Sequence, residues 1–176
     1  MKYSRLIKTS LFALGMTSAA VMAATQGDLD TTSTGDLLIT LDIDSLVRVN
    51  NLDDIDLGTF AGGAGDLTGS DNFCIYRNGA GNFNITMTGS GAGSAFELTD
   101  GANTLPFSVS FNNGGANAMT ASTPLAGQAG AFTANDTCDS GASDNVSVDV
   151  TVANGDLASV PAGTYSGTLT MVVAPE

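Results

Sequence analysis

The chain has 176 residues with eighteen Asp and Glu against five Lys and Arg, no histidine and no tryptophan, and a formal net charge of −13. That balance repels nucleic acid and anionic membrane surfaces, which bind through Lys and Arg, so neither is expected as a partner. Without histidine the chain cannot assemble a Ser-His-Asp or Cys-His nucleophile system, and the usual imidazole metal ligands are missing, so no enzyme and no cofactor are expected.

Lys2, Arg5 and Lys8 precede an apolar run from Leu11 to Val21, which ends in Val21-Met22-Ala23. That order predicts a cleavable secretory signal peptide over residues 1–23, with cleavage after Ala23 or, alternatively, Ala24. The run is too short for a spanning helix, which needs about 20 apolar residues, so no membrane insertion is expected after cleavage. Losing the leader removes three of the five cations and leaves Arg48 and Arg77 against all eighteen acids, a charge of −16. What remains is the length of one domain.

From Ala24 onward no sustained helical stripe occurs, and short alternating segments are punctuated by Gly, Asn, Asp and Ser. The clearest predicted strand is Asp36 to Ile43, where Leu37, Ile39, Leu41 and Ile43 share one face. Leu46–Val49 and Ile55–Thr59 follow, then a Gly-rich break over 61–69. Strands are expected again at Asn72–Arg77, Asn82–Thr88 and Ala95–Leu98, with a turn at Thr99-Asp100-Gly101. Pro106–Phe111, Gly127–Thr133, Asn145–Val152 and Thr164–Val173 complete the set. Seven or more strands at this spacing predict an all-β, immunoglobulin-like two-sheet sandwich over residues 45–176, preceded by an N-terminal extension, 24–44.

Cys74 and Cys138 form an even pair in an exported chain, so a disulfide is expected, closing a loop worth up to ~4 kcal/mol. Asp53, Asp54 and Asp56 cluster as glycosidase carboxylates would, but the aromatic residues that line a sugar cleft are scarce. Asp136, Asp139 and Asp144 around Cys138 are candidate calcium ligands, although their spacing does not match an EF-hand and a solvated acidic loop pinned by the disulfide is the preferred reading. Gly62-Gly63-Ala64-Gly65 lacks the Gly-Lys-Ser/Thr of a phosphate loop. Asn84-Ile85-Thr86 and Asn145-Val146-Ser147 match a short glycan-acceptor pattern on expected strands.

Four features together resemble chaperone–usher pilus subunits, in particular the archaic, spore-coat-U-like branch. They are the alternating segment Gly35–Ile43 behind the leader, Leu52-Asp53-Asp54-Ile55-Asp56-Leu57-Gly58-Thr59-Phe60, Phe73-Cys74 followed by Asn82–Met87, and the ending Pro161–Val173. The chain departs from that family in its second cysteine, Cys138, and in lacking an aromatic near the C-terminus. The resemblance implies a sandwich that lacks one strand and is completed by a donor strand, here Leu37, Ile39, Leu41 and Ile43, from a second copy. Alternation alone does not separate such a donor from the domain's own first strand.

The resemblance further implies a surface fimbrial subunit of a Gram-negative bacterium, exported through the inner membrane, that polymerises with itself and is handled by a periplasmic chaperone and an outer-membrane usher. Adhesion or biofilm formation would be its service to the cell. The alternative is a secreted carbohydrate- or calcium-binding β-sandwich module.

Overall fold

A computed structural model describes residues 24–63, 65–139 and 144–176; the leader expected over 1–23 lies outside the described residues. Two compact units, Met1–Ile43 and Asp44–Glu176, divide the chain. The second carries all ten strands found among the described residues and the whole buried core.

Its strands follow from alternation. In β9 (Val146–Val152) the four valines face inward and Ser147, Asp149 and Thr151 face outward. In β3 (Phe83–Gly89) Phe83, Ile85 and Met87 are fully buried, and in β6 (Ser108–Asn112) Val109 and Phe111 are buried. Burial of side chains of this size is worth about 1.5–3 kcal/mol each, so these inward rows define the core.

One sheet has the order β1-β2-β9-β6-β7, where β1 is Val47–Asn50, β2 Leu67–Arg77 and β7 Ala116–Ala118. The second is β10-β3-β8, with β8 Leu125–Gln128 and β10 Leu169–Pro175, and a small hairpin joins β4 (Glu97–Thr99) to β5 (Thr104–Pro106). All the strand pairings are antiparallel. This is the all-β sandwich expected from the sequence.

Several elements differ from expectation. Asp36–Ile43 forms no strand; among the described residues of this unit a single bridge joins Thr25 to Asp36, through bonds of 2.9 and 3.0 Å. Alternation supplies an apolar face, but a strand also needs a hydrogen-bonding neighbour. Ile55–Thr59 likewise has no ladder. β2 starts at Leu67, inside the stretch read as a Gly-rich break, because its pairing with β9 through Leu67↔Val152 and Gly69↔Val150 overrides the low propensity of Gly69.

The strand expected at Gly127–Thr133 is split: β8 joins the three-stranded sheet, while Phe132 bridges Tyr76 of the other. The segment read as one strand therefore changes sheets. A one-turn helix, α1 (Asn154–Leu157), carries no periodic signal in so short a run, and the last strand starts five residues later than expected, at Leu169.

Cys74 and Cys138 are disulfide-bonded and buried, which ties the outer side of β2 to the loop before β9. Asn145 completes that junction. Its amide accepts from Ile75 N–H at 2.9 Å and donates to the carbonyls of Ile75 and Gly130, so the first residue of the glycan-like Asn-Val-Ser triplet serves as a rung between strands.

Candidate functional site

An open groove of about 540 Å³ lies between the two sheets of the second unit. One wall is β10, the outer strand of its sheet. Among the described residues β10 has a ladder partner, β3, on one edge only, so its other edge offers N–H and C=O groups toward the groove. Its inward side chains Leu169, Met171 and Val173 are only half-buried, unlike their counterparts on β3 and β9.

The facing wall is the extended segment Leu52–Leu57. No backbone–backbone hydrogen bond among the described residues involves it. It is held by side chains instead. Ile55 and Leu57 lie over Gly69 of β2, where a Cβ would come within 2.5 Å of Ile55 Cγ2, and Asp53 N–H donates to Asp71 Oδ2 at 3.1 Å. Asn51, with φ 63, turns the chain out of β1 into this wall. The floor is Val148 and Val150 of β9, with Phe107 and Leu98 from the β4–β6 region.

The groove is therefore a trough with an apolar floor, flanked by two backbone segments, its rails, that have no strand partner on the groove side among the described residues. Chemically it suits an extended chain whose backbone groups would pair with the rails and whose alternate side chains would fill the floor.

At one end the trough is acidic. Asp71 sits on the inward face of β2, in step with Gly69, Phe73, Ile75 and Arg77, and is only 8% exposed; Asp53 and Asp54 line the same end. The strand expected from Asn72 leaves Asp71 outside, whereas β2 includes it. Continuing the Phe73–Ile75 alternation two residues backward would have placed it inside.

The predicted site residues distribute as follows. Leu37, Ile39, Leu41 and Ile43 are exposed by 71, 83, 81 and 77%. Of the carboxylates considered for calcium, Asp136 is paired with Arg48 at 3.1 Å, Asp139 accepts from Asn135, and Asp144 accepts from Asn51. Each serves a different neighbour, and among the described residues no group of three metal-ligating side chains converges. Asp53 and Asp54 of the acidic triplet reach the groove; Asp56 instead accepts from Gly58 N–H in its own turn.

One carboxylate has a clear electrostatic signature. The side-chain amide of Asn103, then the backbone N–H groups of Asn103 and Ala102, hold Asp100 at a pKa of about 2 in the β4–β5 turn. This stabilises the hairpin beside the groove.

No protein-family model matches the chain, and no curated protein matches it in sequence. A chain of a solved structure described as "Chaperone-tip adhesin complex is vital for synergistic activation of CFA/I fimbriae biogenesis" is similar over 74% of the present chain, with a TM-score of 0.50 and 19% identity. The match spans 41% of that neighbour, about two fifths of its length. At this identity the likeness is one of fold, and it shows an all-β sandwich of the kind found in that fimbrial complex.

Proposed function

We propose that the chain is a structural subunit of a surface pilus or fimbria that polymerises by donor-strand exchange. Residues 35–44 of one copy enter the groove of the next, where Leu37, Ile39, Leu41 and Ile43 point to the floor. The observation that carries this reading is the groove itself: two backbone segments with no strand partner on the groove side among the described residues, flanking half-covered apolar side chains. The exposure of four alternating Leu and Ile side chains in the N-terminal segment supplies the complement.

Covering four such residues fully is worth roughly 6–12 kcal/mol before the cost of ordering the segment. The fold shared with a chain of a chaperone–tip adhesin complex supports the same reading, as does the resemblance to pilus subunits. In this reading residues 24–44 are the donor extension and 45–176 the acceptor domain. A periplasmic chaperone and an outer-membrane usher serve as assembly partners, and the cell surface is the destination.

The test uses the chain from Ala24 to Glu176. It should form ladders of multimers that survive mild detergent, and Ile39→Asp with Leu41→Asp should reduce them to monomer while leaving circular dichroism unchanged. Ladders that persist in the double variant would exclude the segment as donor, and an unaltered chain that stays monomeric at every concentration would overturn the polymer itself.

A further inference from the structure

Asp71 is an unusual residue to find on the inward face of a sandwich strand. It is nine-tenths buried, lines the groove, and has only one oxygen engaged: Oδ2 accepts from Asp53 N–H, and no hydrogen bond reaches Oδ1 among the described residues. Asp53 and Asp54, both exposed, add to the negative charge at that end. The two arginines beyond the leader do not compensate. Arg48 is paired with Asp136, and Arg77, six residues along β2, donates to the carbonyl of Glu176.

A strand laid into the groove directs its backbone N–H groups to the rails and excludes water from Asp71. A carboxylate sealed in this way needs a donor from the occupant, because an uncompensated buried charge is strongly disfavoured. The chain's own residues 35–44 bring none that is charged: the segment holds Asp36, Asp42 and Asp44, and residues 24–47 contain no Lys or Arg. Self-occupancy therefore adds negative charge to a negative end.

We propose that the Asp71 end of the groove is a specificity site for a Lys or Arg side chain carried on a β-strand of a different protein, which is favoured over the chain's own segment. The inference rests on the strand-accepting reading above and adds the chemistry of the preferred partner. Charge complementarity of this kind selects among partners that the apolar floor alone would not distinguish. It also gives the two occupants opposite responses to salt: screening weakens the basic strand and relieves the repulsion felt by the acidic one.

Fluorescence polarisation tests this with the chain from Ala24 to Glu176, held below the concentration at which it multimerises. The probes are a labelled peptide of residues 35–44 and a set in which Lys replaces each position in turn. At low salt one Lys position should tighten binding about 10-fold, and the gain should vanish at high NaCl, where the unaltered peptide binds more tightly than before.

Asp71→Asn retains an oxygen for Asp53 N–H and should abolish the gain. Should that variant fail to fold, Asp53→Asn with Asp54→Asn, both on the exposed rim, should cut the salt dependence at least in half. Binding of the unaltered peptide with no benefit from any lysine, or a benefit that survives these substitutions, would overturn the basic-partner proposal and leave the strand-accepting groove standing. Failure of every peptide to bind would overturn both.

Discussion

Gly69 is where the wall of the groove meets β2, and adding one carbon there tests the geometry. A Cβ at this position would lie 2.5 Å from Ile55 Cγ2 and 3.0 Å from Leu57 Cδ2. Leu57 can withdraw its terminal methyl by a change of rotamer. Ile55 cannot, because Cγ2 branches from Cβ and moves only with χ1 or the backbone.

Two effects compete in Gly69→Ala. Removing a strand glycine stiffens the unfolded chain and is worth about 0.4–1 kcal/mol in favour of the variant where the backbone tolerates it. Overpacking of this severity costs about 1–3 kcal/mol. The clash should win, so Gly69→Ala is expected to lose roughly 1–2 kcal/mol in urea unfolding. Ile55→Leu keeps the side-chain volume but deletes Cγ2, so the double variant should recover most of that loss, a coupling of about 1 kcal/mol or more. An alanine variant as stable as the parent, or a double variant that is simply additive, would show that Ile55 does not lie over Gly69 and that the wall is elsewhere.

Replacing Cys74 and Cys138 by Ala opens a loop with a sequence separation of 64 and should cost about 4 kcal/mol on the chain-entropy estimate, with a larger m-value because the unfolded chain can then expand; an unchanged midpoint would refute it. Arg77 is 5% exposed, and its Nε and Nη1 have no hydrogen-bond partner among the described residues, so Arg77→Met should stay within about 1 kcal/mol of the parent. Arg77→Ala, which leaves a void under Gly81, should lose about 2 kcal/mol or more by thermal unfolding. A methionine variant as damaged as the alanine one would mean that the charge is needed. Asp100 has a folded pKa of about 2, below its ordinary 3.8, so its contribution to stability is complete above the unfolded value and is lost as pH falls from near 4 towards 2; Asn103→Ala should bring the carboxyl resonance back toward ordinary titration in NMR.

The sequence alone determined the class of fold, the disulfide partners and the apolar character of the N-terminal segment. Period-two alternation in Phe83–Met87 and Val146–Val152 requires one buried and one solvated face, and that requirement is local. What alternation does not carry is the identity of a strand's neighbour. Asp36–Ile43 and Ile55–Thr59 have the pattern of strands and no ladder, whereas Leu67–Asn72 has a poor pattern and a full one, because pairing is decided by the edge that a distant segment happens to offer. The groove belongs wholly to that tertiary level. It exists because β10 ends its sheet, because Gly69 lets Ile55 and Leu57 settle against β2, and because Asp71 reaches inward to hold Asp53. Each of these is a relation between residues far apart in the chain, fixed only when the two sheets pack.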